Sequence, residues 1–216
     1  MRLDGAPSWR LSLDNPQGLH IALFVRDAVG LVTPPSHGVP PMLAAEIPDH
    51  TAALADTGRA EAGGQWLAWW HRLVTHEIAP HYSPAVDEDA WRRRAAEYQR
   101  VVDPPDFESL AGLPALRTAV VATFGAAREW SNALKRRVAG SPPFEHSLVR
   151  DVAQEIITER GVSPDELDAA VMVLDVAGAW SYLAGPGAMC CSATTLGDPA
   201  TARALFREAF VSALDA

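Results

Sequence analysis

The chain begins with a strict alternation of apolar and polar residues. In WRLSL, residues 9–13, Trp9, Leu11 and Leu13 fall on one side of an extended segment, with Arg10 and Ser12 on the other. That period of two marks a half-buried strand. DNPQG, 14–18, supplies turn chemistry, with asparagine before proline and glycine at the end. LHIALFVRD, 19–27, is almost wholly apolar. It reads as a second strand, so the pattern predicts a hairpin.

Residues 33–48, TPPSHGVPPMLAAEIP, carry five prolines and one glycine. No helix or strand survives that density of prolines, and the segment reads as a loop with polyproline character. A loop of this length inside a compact domain is either a surface connector or a functional element.

The pattern then becomes helical. Helices are expected at about 64–79, 87–101, 114–138 and 144–160, so that 64–160 is mainly helical. Trp66, Leu67, Trp70, Leu73, Val74 and Ile78 form an apolar stripe on the first of these. Asp87 and Glu88 suit the positive end of the second. Pro114 suits the first turn of the third. Leu116, Val120, Phe124, Ala127, Leu134 and Val138 make its stripe, and Lys135, Arg136 and Arg137 complement its negative end. Gly161 stops the fourth.

In the final third, Ser163, Pro164 and Glu166 have the spacing of a capping box. The segments 171–176, 179–183 and 188–196 read as three short strands, with GPG at 185–187 as a turn. The competing reading is one helix from 164 to about 183. Asp198, Pro199 and the stripe Leu205, Phe206, Ala209, Phe210 and Ala213 close the chain with a helix. Strands at both ends and helices between predict an α+β fold. Its small antiparallel or mixed sheet is built from the N- and C-terminal segments and covered by the helical centre. With no internal repeat and no low-complexity linker, 1–216 reads as a single domain.

Composition changes this picture little. At 216 residues, 48% hydrophobic and 21% charged, the chain can bury a core without metal or disulfide staples. Lys135 is the single lysine among 18 basic residues, a bias of bacterial, GC-rich type. The net charge of −9 argues against nucleic-acid binding and anionic membranes, because both draw affinity from Lys and Arg. Cys190 and Cys191 are adjacent, so no disulfide framework is expected. The residues before 19 lack the apolar run of a secretion signal, and no run of about 18 apolar residues is available to cross a bilayer. A soluble, cytoplasmic protein is the expectation.

Candidate chemistry concentrates in WWHRLVTHEIAPHY, 69–82. Zinc proteases place two histidines four apart on a continuous helix, with a glutamate beside the metal-bound water. Here His76 and His81 are five apart and Pro80 lies between them. His71 and His76 are also five apart, about 140° around a helix. No metal site and no cofactor is expected. Glu77 follows the apolar stripe at helical spacing, so it requires a partner, with His81 across the turn as the first candidate. Trp69 lies off the centre of the stripe and is the exposed contact candidate.

Two functional classes remain. The first is a non-catalytic interaction or accessory protein, whose partner is another protein or a second copy in a homodimer; its seven tryptophans suit an interface. The second is a small-molecule-binding protein or enzyme that uses His71, Glu77 and His81, with His37 or His50 from the loop region. No nucleophile elbow, phosphate loop or dinucleotide fingerprint is present in the sequence. Either cysteine could serve as a nucleophile beside a histidine, although buried, inert cysteine is commoner.

Overall fold

The computed structural model describes residues 8–36, 38–78, 92, 96, 103–138 and 144–216. The fold is α+β, and its four-stranded mixed sheet is made from N- and C-terminal segments. By internal contacts the chain divides into two compact units. One is Met1–Asn15 with Val138–Ala216, and the other is Pro16–Arg137.

The first unit holds the sheet. Strand β1 (Arg10–Asp14) pairs in parallel with β2 (Asp168–Leu174), which pairs in parallel with β4 (Ala188–Ser192). The antiparallel edge strand β3 (Ser181–Gly185) completes the order β1-β2-β4-β3. Alternation sends Ala169, Val171, Met189 and Cys191 to one face. Helix α4 (His146–Arg160) and helix α6 (Pro199–Leu214) pack there through Val152, Ile156, Leu205, Phe206 and Phe210. Trp9 meets Phe210 edge-on at 6.4 Å, so Trp9 and Leu11 of WRLSL pack on this core, whereas Leu13 is exposed. The short α5 (Ala193–Gly197) begins where a longer β4 was expected, because the Ser192 hydroxyl accepts from the Thr195 N–H and caps a helix.

The second unit is helical. It contains α1 (Gln17–Val29), α2 (Asp56–Ile78) and most of α3 (Pro114–Val138). The expected hairpin is overturned, since 19–27 lies inside α1. Eleven of its 13 residues are buried. A helix buried all round has no polar face to reveal its period, so its apolar run imitates a strand. Gly30 ends it in the left-handed region, with the Leu31 N–H reaching back to the Arg26 carbonyl at 2.9 Å.

Elsewhere the patterns hold. Helix α3 spans the expected 114–138, and 171–183 is not one helix: 171–174 lies in β2 and 181–183 in β3, with 175–180 between the strands. The expected capping box forms at Ser163 and Glu166, with the Glu166 carboxylate accepting from the Ser163 N–H at 2.6 Å. Helix α2 starts earlier than the expected 64. Of the helix expected at 87–101, only residues 92 and 96 are described, and both are helical.

Candidate functional site

On α2 the buried positions are Ala62, Gly63, Trp66, Trp69, Trp70, Leu73, Val74 and Glu77. Their spacing of three and four is a regular helical stripe. It is rotated slightly from the expected one, and Leu67 and Ile78 fall on its margins. Trp69 is therefore fully buried, which corrects the expectation of an exposed contact. Three tryptophans within five residues fill one face of the helix, and Trp66 stacks on Trp70 at 5.3 Å.

Glu77 is 9% exposed, as its place on the stripe requires, and it has an interaction partner. His71 is exposed, and His76 is half-buried. His81 and His37 lie outside the described residues. His50 sits before the one-turn helix Thr51–Ala53, where its ring contacts Phe24 at 6.3 Å. Among the described residues no group of three or more His, Cys, Asp or Glu is placed to hold a metal ion.

A second constellation went unnoticed in the sequence. Arg26 and Asp27, on the last turn of α1, form an ion pair with side chains only 6% and 4% exposed. Arg26 Nε donates to Asp27 Oδ1 at 2.5 Å. Its two terminal nitrogens donate to the Pro40 and Pro41 carbonyls, each at 2.6 Å. Asp27 Oδ2 accepts from the Leu43 N–H at 2.7 Å. The guanidinium also lies 5.3 Å over the Trp66 ring, and Trp66 Nε1 donates to the Ala22 carbonyl at 2.7 Å. Trp70 Nε1 donates to the Gly38 carbonyl at 3.2 Å. Four loop backbone groups, at Gly38, Pro40, Pro41 and Leu43, are thus tied to two side chains of α1 and one of α2.

The anchoring fixes a surface. Pro40 and Leu43 turn inward and are buried, whereas Met42 between them stands 66% exposed and Val32 65% exposed. Met42 separates two shallow grooves. One of about 330 Å³ is lined by Asp27, Leu43, Glu46, Ile47 and Asp49 among others. The other, about 260 Å³, is lined by Leu31, Thr33, Val39 and Pro41 with the Arg26–Asp27 pair. Neither is lined by Trp69, His71 or Glu77. The Asp49 carboxyl is held below its ordinary value by hydrogen bonds from Thr51, first from its N–H, so this rim keeps its negative charge.

The remaining candidates are structural. Burial pushes the Cys191 thiol up to about 12, which disables it as a nucleophile at neutral pH. Cys190 is equally buried. The GPG turn joins β3 to β4, and the Gly187 N–H is satisfied by Ser212 Oγ at 3.0 Å. No family model matches the chain, and no curated protein and no solved structure is similar to it.

Proposed function

We propose that the chain is a non-catalytic interaction protein that presents Val32 and the 38–43 segment as a preformed contact surface for another protein. The observation that supports this reading is the combination of a clamped backbone and exposed apolar side chains. Taking an ion pair out of water is costly, so a buried pair is weak evidence of a stabilising role. Ordering a loop costs about 1–2 kcal/mol per residue. A loop ordered before the encounter spares the complex that cost. Here the buried pair holds still the backbone from which Met42 projects. Methionine suits such a role because its thioether adapts to irregular apolar surfaces. Glu46 and Asp49 flank the site, so the partner offers an apolar patch with a basic rim.

Site-specific photocrosslinking tests this. A photoreactive side chain at position 42 should give one discrete adduct in extracts of the source cells. Val32→Asp should abolish it, and the same side chain at the exposed position 121 should not form it. An adduct of twice the chain mass would identify the partner as a second copy. No adduct at 42, or the same adducts from 42 and 121, would overturn the proposal.

A further inference from the structure

The sheet unit contains a larger concavity, of about 630 Å³, between the start of α4 and the junction of α5 with α6. We propose that it is a binding site for a small organic cation: a primary ammonium carried on an apolar body. Its volume falls within the ordinary range for small-molecule sites. The apolar floor is Phe144, Leu148 and Leu196. Phe144 packs edge-on against the core residue Phe206 at 4.9 Å, so the floor is fixed by the core.

The sign of the ligand's charge follows from a comparison of opposing fields. Two helix N-termini open near the groove, those of α4 at His146 and α6 at Pro199. Each carries about half a positive charge, which draws anions. Against them stand three carboxylates. Glu145 and Asp151 line the groove. Asp198 caps α6 by accepting from the Thr201 N–H at 2.9 Å, so that helix end is already answered. Arg150 offsets part of Asp151, from 3.4 Å. Three negative charges, one arginine and roughly one unit from the two dipoles leave about one negative charge. The Ser147 hydroxyl already donates to Glu145, at 3.3 Å. An ammonium supplies donors for both carboxylates, and its body covers the floor. A neutral apolar ligand gains no attraction from the carboxylates, and an anion is repelled by them.

The full chain should be titrated with 2-phenylethylamine, 2-phenylethanol and 3-phenylpropanoate, with backbone and methyl resonances followed by NMR. The titrations should be run at pH 8, where the amine is still an ammonium. The amine should shift Leu148 and Leu196 and bind about tenfold or more tightly than the alcohol, the range for a hydrogen bond to a charged group. Glu145→Gln combined with Asp151→Asn should remove that advantage while alcohol binding stays unchanged. Both side chains are on exposed residues, so the variant should keep the wild-type spectrum outside the groove. Equal binding of the three compounds, undiminished amine binding by the double variant, or no shifts at Leu148 and Leu196 would overturn the proposal.

Discussion

The two units tie distant parts of the chain together in opposite ways. In the helical unit the polar tie is buried: Arg26 and Asp27 hold a proline-rich loop from beneath, with hardly any exposure to water. In the sheet unit the apolar cluster joins α4 to α6, and ion pairs lie outside it. Glu155 meets Arg203 and Glu159 meets Arg207, each about half exposed. A core can hold helices because each presents an apolar stripe. The loop has no stripe to present, and its backbone carbonyls need donors. The buried pair supplies them, so fixing a loop requires polar chemistry in the interior where fixing a helix does not.

The comparison is tested most severely at Asp27. Asp27→Ala leaves a buried guanidinium without its carboxylate and the Leu43 N–H without its acceptor. The expected loss is about 3–5 kcal/mol, the cost of breaking a buried pair on one side. Arg26→Met together with Asp27→Leu should recover a good part of it, because neither charge is then stranded. Urea denaturation gives the cost, and amide exchange at Leu43 shows whether the loop is released. A single-variant loss below about 1 kcal/mol, the level of an exposed pair, would remove the distinction between the units.

A pair of glycines sharpens the same point from the backbone side. A Cβ at Gly63 would sit 2.0 Å from the Val32 carbonyl oxygen, so the loop rests directly on α2 there. Gly63→Ala must force the two apart, at about 1–3 kcal/mol. Gly125, within α3, has nothing within 4 Å of the same added atom. Gly125→Ala should stabilise by about 0.5–1 kcal/mol, since a helical glycine only loses entropy. Equal signs for the two would show that the loop does not press on α2.

Glu77 extends the comparison along α2. It is buried and partnered, whereas His71 on the same helix is exposed. Glu77→Gln should cost about 1–3 kcal/mol, as for a buried charged hydrogen bond. His71→Ala should stay within about 0.5 kcal/mol. An unchanged midpoint for Glu77→Gln would make that carboxylate as incidental as the His71 ring.

How far the sequence revealed the fold follows the same physics. Helix α3 was legible over its whole length because one side is wet: Leu116, Val120, Ala127 and Leu134 are buried and Arg128, Glu129 and Arg136 exposed. Strand β1 was legible because its two sides differ. Helix α1 was not, because both sides are covered, and only its length and Gly30 pointed to a helix. That single misreading hid the loop anchor. In a strand Arg26 and Asp27 would point to opposite faces, whereas on a helix they lie about 100° apart and can pair. The carbonyls they hold belong to residues 14 and 15 positions further on than Arg26, a relation that no local pattern encodes. On α2 the reading placed Glu77 correctly and Trp69 incorrectly. The stripe is wide enough for both, and a tryptophan assigned to its margin in fact lies inside it.

The smallest expected effect is at the surface tie between α4 and α6, and its value lies in its dependence on pH and salt. The Glu159 carboxyl is held below its ordinary value of 4.5, chiefly by the hydrogen bond from Arg207 and secondarily by the attraction of that charge. A carboxyl whose value is lowered on folding contributes stability above its unfolded value and loses it as pH falls through the folded one. Glu159→Gln should therefore lower the melting temperature slightly at neutral pH. The gap should shrink as the pH drops below 4.5 and vanish once the wild-type carboxyl is protonated. Salt at about 1 M should also shrink it, because a solvated pair is screened over a few ångströms. The Asp27→Ala loss should depend far less on the same salt, since the side chains of that pair are only 6% and 4% exposed. Melting curves of both variants at low and high salt make the contrast direct. A Glu159→Gln gap that persists in acid and in high salt would mean that the α4–α6 tie behaves like the buried one, and the two units would no longer differ in kind.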